Sequence, residues 1–240
     1  MDLFISDLHL CNSRPRVTRA FLDFLDSRAR DAKSLYILGD LFEYWAGDDA
    51  LEEHANVIDA LRALTGAGVP VHFMAGNRDF LVGDGFAQAT GCTLLDEPAR
   101  LLVYLKPTLL LHGDTLCTGD ADYQSFRAHI RAPAWRDQFL ARPLAERKRE
   151  IEELRRRSEQ RKTEKPAKIM DVSPVAVAAE LARNACLRLI HGHTHRTAHH
   201  EFEVNGQACE RWVLSDWSEA HGANCLVVDF DGARFERIEI

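Results

Sequence analysis

The sequence predicts an α/β protein whose strands deliver functional groups along one edge and whose core is interrupted by an inserted helical cap. Three observations carry this. Five apolar, strand-like runs each end in a short segment of metal-ligand residue types. Helical periodicity fills the early intervals between those runs. A charge-rich helical stretch then breaks the alternation and is too long for a plain connection in a compact domain.

The first run, Leu3 to Ile5, leads into Asp7-Leu8-His9. Apolar residues at 17, 21, 22, 25 and 29 then give a helical period over Val17 to Ala29. Leu35 to Leu38 ends in Gly39-Asp40, and Ala50 to Leu64 reads as a second helix stopped by Gly66 and Gly68. Val71 to Met74 precedes Gly76-Asn77-Arg78-Asp79, and Leu109 to Leu111 precedes His112-Gly113-Asp114. Residues 123–165 form the expected cap, with its own apolar set of Phe126, Ile130, Trp135, Phe139, Leu140 and Leu144. Residues 1–122 and 166–240 are left as the core. Ser173-Pro174 starts a further helix, with Ser as N-cap and Pro at the first helical position. Leu187 to Ile190 ends in Gly192-His193-Thr194-His195. The tail from Arg211 to Ile240 is β-rich, turning at Asp231-Gly232.

Composition narrows the class. With 240 residues and 46% apolar content the chain can bury a substantial core. It has no run of about 18 uncharged apolar residues, so no bilayer-spanning helix is expected. Met1-Asp2 passes directly into a strand, which predicts no secretory signal. Six cysteines without CxxC spacing fit reduced thiols in a cytoplasmic protein. Net charge is −7, yet residues 127–168 carry 14 Lys or Arg against 7 Asp or Glu. An acidic body with one basic segment suggests that this segment meets something anionic, such as a phosphorylated substrate or a membrane surface, unless it is a solvated helix with internal pairs.

In open α/β sheets the ligand crevice lies outside the carboxyl ends of the strands. Aspartate, asparagine and histidine without cysteine favour a divalent ion such as Mn, Fe or Zn. Seven candidate ligands exceed what one catalytic ion takes from a protein. Two ions sharing a carboxylate account for them, with Asp40 the best bridge. Asp79 is placed to position Arg78 or a ligand histidine, or to cap a turn; His191 adjoins the ligand pair, and His72 reads as a satisfied core residue.

The order DxH, GD, GN, H and GHxH resembles the calcineurin-like metallophosphoesterases. That resemblance implies a four-layer α/β/β/α sandwich. It implies one ion held by Asp7, His9, Asp40 and His195, and the other by Asp40, Asn77, His112 and His193. The family usually has histidine after the ligand asparagine, where this chain has Arg78. Arginine does not act as a general acid near neutral pH but can fork phosphoryl oxygens, which favours a phosphate leaving group that needs no proton.

Longer segments, Phe4 to Leu10, Gly39 to Trp45, Gly76 to Leu81, His112 to Thr118, Tyr123 to Arg127 and Ile169 to Val172, resemble the UDP-2,3-diacylglucosamine diphosphatases of lipid A synthesis. This implies water attack on the α-phosphorus of UDP-2,3-diacylglucosamine, yielding UMP and 2,3-diacylglucosamine 1-phosphate, with two divalent ions, expected to be Mn²⁺. It implies substrate contacts at Asn77, Arg78, Asp120, Ser158, Lys165 and His193. Asp120 could instead cap the helix starting near Asp122, and Ser158 and Lys165 could simply be solvated. Lys162 and Thr197 depart from the family pattern, which usually has a smaller polar residue and a proline there. The cap's apolar set could line two acyl chains. The expected partners are a lipid-linked UDP-sugar and the cytoplasmic face of the inner membrane, where the chain would sit peripherally as a monomer. Nucleic acid is not expected, because basic and aromatic residues do not alternate as in a stacking groove. Two other readings stay open: the same site acting on a soluble nucleotide or other phosphodiester, and a silent scaffold, which would predict lost ligands.

Overall fold

The computed structural model describes residues 1–164 and 171–240, with side chains described outside 157–170. The first half alternates β1 (Asp2–Ile5), α1 (Pro15–Asp26), β2 (Ser34–Leu38), α2 (Ala55–Gly66), β3 (Val71–Met74), α3 (Asp84–Thr90) and β4 (Thr93–Leu95). There follow β5 (Ala99–Val103), β6 (Lys106–Leu110), three helices α4 (Ala121–Ile130), α5 (Pro133–Leu140) and α6 (Leu144–Glu164), then α7 (Pro174–Arg183). The chain ends with β7 (Arg188–His191), β8 (Ala198–Val204), β9 (Gln207–Val213), β10 (Ala223–Asp229) and β11 (Gly232–Ile238).

Two sheets result, one ordered β11-β10-β1-β2-β3-β4 and one ordered β5-β6-β7-β9-β8. Strands β1 to β4 run parallel, as do β6, β7 and β9. Side chains alternate between faces of a strand. Leu3, Ile5, Leu35 and Ile37 therefore pack outward with Phe21, Leu61 and Phe86 of α1, α2 and α3. Phe4, Tyr36 and Leu38 turn inward to meet Leu110, Ile190 and Trp212 of the other sheet. Leu109 and Leu189 face Val177 and Leu181 of α7. The layers are helix, sheet, sheet, helix. Strands buried on both faces read as continuous apolar runs, which is why these were visible in the sequence. Each such Leu, Ile or Phe contributes about 1.5–3 kcal/mol on burial.

The expected helix over Val17 to Ala29 ends at Asp26, with a 3₁₀ turn at Arg28–Asp31. The stretch beginning at Ala50 starts as a 3₁₀ helix, Asp48–His54, because Asp48 is tied to Trp45 Nε1 and to the Gly83 and Gly85 amides. Ser173 caps α7 through the Ala176 amide. His72 is not the satisfied core residue its sequence context suggests. Its ring stacks on Tyr36 at 4.7 Å, but its buried Nδ1 has no hydrogen-bond partner. All six cysteines are free.

The helices α4 to α6 bear on two expectations. Ile130 and Phe139 are buried, while Trp135 and Leu140 pack against the main core, so much of the expected lipid-facing set is internal packing. Phe126 remains 39% exposed. The basic charge of this segment meets the acidic body itself. Arg127 pairs with Glu97 and Asp114, Arg147 with Asp49, Lys148 with Glu53, and Arg155 with Glu43. Arg147 is only 2% exposed and also bonds the Ala46 and Arg142 carbonyls. A large part of the anion that this segment seeks is the core.

Candidate metal centre

The five ligand-bearing segments meet at the carboxyl ends of β1, β2, β3, β6 and β7, and the backbone there is unusual. Asp7, His9, Asp40, His193 and His195 all have positive φ, between 52° and 68°. Aspartate and histidine tolerate the left-handed region better than bulkier residues, but each such position still costs about 1–3 kcal/mol. The conformation is held by bonds between segments: the Asp7 amide donates to Gly39 O at 3.0 Å and the His9 amide to Asp40 O at 2.9 Å. Glycine lets the strand ends close on one another. A Cβ at Gly76 would lie 2.2 Å from Asp40 Oδ1, and one at Gly192 would lie 2.2 Å from Asp7 Oδ2.

The side chains converge in two groups, Asp7 with His9 and His195, and Asp7 with Asp40 and His112. His9 Nε2 lies 3.3 Å from His195 Nε2, which in turn lies 3.3 Å from Asp7 Oδ1. Asp40 turns one oxygen toward each side, with Oδ2 at 4.0 Å from His9 Nε2 and Oδ1 at 3.7 Å from His112 Nε2. Asn77 Oδ1 is 3.0 Å from His112 Nε2. The His193 ring stands 5.2 Å from that of His112, but its nitrogens join neither group.

The surroundings fix which atoms face inward. His112 Nδ1 lies 2.9 Å from the Leu38 carbonyl, so it carries a proton there and Nε2 is the nitrogen turned toward Asn77 and Asp40. Glu43 Oε2 stands 3.3 Å from His9 Nδ1, with His9 Nε2 turned toward His195 and Asp40. Asp7 Oδ2 accepts from Ser6 Oγ at 2.6 Å and from the His193 amide at 2.8 Å. Its Oδ1 is buried without a hydrogen bond.

Charge follows this crowding. Burial opposes ionisation of Asp7, yet the close His195 ring and the imidazoles of His112 and His9 hold it below the carboxylate range. Burial likewise opposes a charge on His112, but Asp40, Asp7 and Asp114 push it up to about 9. Burial and His112 push His193 down to about 4. Glu43 is held at about 2, because His9, Arg78 and Arg155 outweigh its burial.

These residues fit divalent cations. Ligands at roughly 2.1 Å from one ion lie about 3 Å apart when adjacent and about 4 Å apart when opposite, the range spanned by these separations. Two imidazole nitrogens facing each other and a bonded-to-nothing carboxylate oxygen are better satisfied by a cation than by one another. Oxygen and imidazole donors without thiolate suit Mn, Fe or Zn.

Of the other expected contacts, Arg78 borders the cluster, its guanidinium 3.7 Å from Glu43 and its amide bonded to Asp40 Oδ1 at 2.8 Å. Asp120 caps α4 by accepting the Tyr123 amide. Ser158, Lys162 and Lys165 lie outside the described residues. Asp79 gathers the backbone amides of Gly76, Asp40, Leu41 and Phe42. His191 bonds the Gly192 carbonyl and is pushed down to about 3 by burial. Sequence reasoning assigned no role to Glu43, Glu97, Asp114 or Arg127. A lone acid inside the apolar Leu41 to Trp45 run was the signal for Glu43; Glu97 gave none.

The calcineurin-like phosphoesterase model matches residues 3–197. A UDP-2,3-diacylglucosamine hydrolase of Aromatoleum aromaticum is 53% identical over 218 residues, 90% of this chain and 89% of the relative. Proteins of the same name from Chromohalobacter salexigens and Xanthomonas oryzae pv. oryzae are 49% and 47% identical, covering 95% and 99% of this chain and 93% and 99% of theirs.

Proposed function

The chain belongs to the calcineurin-like phosphoesterase family, and on that premise we propose that it hydrolyses UDP-2,3-diacylglucosamine in lipid A synthesis. The similarity to hydrolases of that name runs over nearly the whole length of both chains. The observation that carries the chemistry is the placement of Asp40, with one carboxylate oxygen toward His9 and the other toward His112. In this reading Asp7, His9, Asp40 and His195 hold one divalent ion, and Asp40, Asn77, His112 and His193 hold the other. Manganese is the expected metal.

Two bound ions would lower the pKa of water from about 15.7 toward neutrality and offset charge on the phosphoryl oxygens. The chain's own residues do the rest. Arg78, leaning on Glu43 at the rim, forks phosphoryl oxygens and donates no proton. A phosphate monoester, with second pKa of about 6, leaves without one. Attack at the α-phosphorus then releases UMP, with 2,3-diacylglucosamine 1-phosphate as the leaving group. Asn77, Arg78, Asp120 and His193 contact substrate, together with Ser158 and Lys165 of the inserted segment, residues 123–165. Exposed Phe126 and half-buried Leu144 offer apolar surface for acyl chains. No helix among the described residues is long and apolar enough to cross a membrane. The chain is proposed to work as a monomer held peripherally at the cytoplasmic face of the inner membrane.

The test is hydrolysis by metal-stripped protein in ¹⁸O-labelled water, with and without Mn²⁺, read by mass spectrometry. Label in UMP, only with metal, is expected. Label in the sugar phosphate would overturn α-attack. No turnover by protein that still cleaves an aryl phosphodiester would overturn the lipid substrate.

A further inference from the structure

Helix α4 lays Tyr123, Arg127 and Arg131 along one side at a spacing of four, the last just past its C-terminus. All three reach the candidate metal centre, and they reach one half of it. The Tyr123 ring stacks on His193 at 6.1 Å, and its hydroxyl donates to Asp114 Oδ2 at 2.6 Å. Arg131 Nη2 donates to the carbonyl of Gly76, the residue before Asn77, at 2.8 Å. Between them, the Arg127 fork joins two buried acids: Nε donates to Asp114 Oδ2 at 2.7 Å and Nη2 to Glu97 Oε2 at 2.6 Å. The other oxygen of Glu97 accepts the backbone amide of His112 at 2.8 Å.

We infer that Arg127 is a positioning residue for one of the two ions, the one held by Asp40, Asn77, His112 and His193, and that the other ion is largely independent of it. The inference rests on the dinuclear reading above. Asp114 and Glu97 are buried carboxylates that share the Arg127 guanidinium between them. Without the guanidinium they repel each other directly beneath His112, and the strut from α4 to the His112 amide is lost. No α4 contact of this kind runs to Asp7, His9 or His195 among the described residues. Groups that orient metal ligands change metal affinity by about 10- to 100-fold.

The experiment titrates metal-stripped wild type, Arg127→Met and Arg127→Lys with Mn²⁺. Free ion is counted by its electron paramagnetic resonance signal, and the bound spectrum is read for a spin-coupled pair. Wild type should bind two ions. Arg127→Met should keep one at unchanged affinity, bind the second about 10- to 100-fold more weakly, and lose the coupled signal at low loading. Arg127→Lys retains charge between the acids but lacks the fork, so the same single ion should weaken by less. It decides the matter if Arg127→Met does not fold. Two ions at unchanged affinity in the folded variants, or equal weakening of both, would overturn the inference while leaving the dinuclear reading intact. Wild type binding fewer than two would overturn both.

Discussion

Asp79 Oδ2 accepts the Leu41 amide at 2.8 Å while its Oδ1 accepts the Gly76 amide at 2.7 Å, so one buried carboxylate ties together the loops that carry Asp40 and Asn77. Asp40 and Phe42 add a further amide to each oxygen at 3.3 Å. Burial and Asp40 push Asp79 up to about 6 against these donors.

Asp79→Asn must therefore turn an NH₂ group toward two N–H donors, whichever way the amide flips. Hydrogen bonds to a charged acceptor are worth about 1.5–3 kcal/mol, and a loss of that size in thermal or denaturant unfolding is expected. Turnover should fall with it, as the two loops part. A variant as stable as wild type would mean that the amides do not depend on the charge.

Asp40→Ala removes the residue placed toward both His9 and His112. Turnover should vanish, and bound metal, measured by mass spectrometry of the elements, should drop below the wild-type count. A near-normal rate in metal-controlled buffer would defeat the two-ion model.

Arg78→His should lower kcat/KM for the pyrophosphate by roughly 100-fold, the usual cost of one preorganised donor. Arg78→Lys should fall between, since it keeps the charge and loses the fork. Unchanged kcat/KM in Arg78→His would refute the leaving-group argument.

Glu210 makes a prediction far from the site. One of its oxygens accepts Arg188 Nε at 2.6 Å and Lys106 Nζ at 2.7 Å, and the other accepts Trp212 Nε1 at 3.1 Å. Burial raises its pKa, but these donors prevail and hold it at about 2. The unfolded value is about 4.3, so its contribution is complete above that pH and fades as pH falls toward 2. Glu210→Gln should cost about 3 kcal/mol at pH 7, at the low end for a buried pair because Lys106 is partly solvated. The gap should shrink between pH 5 and pH 3 in unfolding experiments; a constant gap would contradict it.

Much of this fold was legible because parallel strands buried on both faces leave unbroken apolar runs, as at Leu35 to Leu38 and Leu187 to Ile190. Strand β8 was not, since Ala198-His199-His200-Glu201 lies at a sheet edge with little to bury. The ligand types at the strand ends were legible for a similar reason: polar residues that end apolar runs stand out. What surrounds them was not. Glu97 reaches His112 and Arg127 only through the packing of β5, β6 and α4, and nothing local marks it. The basic stretch was visible, but composition could not say that Glu43, Asp49, Glu53, Glu97 and Asp114 were its counter-charges.

The left-handed backbone at Asp7, His9, Asp40, His193 and His195 gives the chain a built-in vulnerability over evolutionary time. Glycine would adopt each of those conformations without strain, so backbone geometry by itself gives no reason to keep the residues that converge there. A descendant relieved of its chemistry would meet no backbone barrier to erasing the centre, one position at a time. Selection for turnover must oppose that drift at all five positions at once.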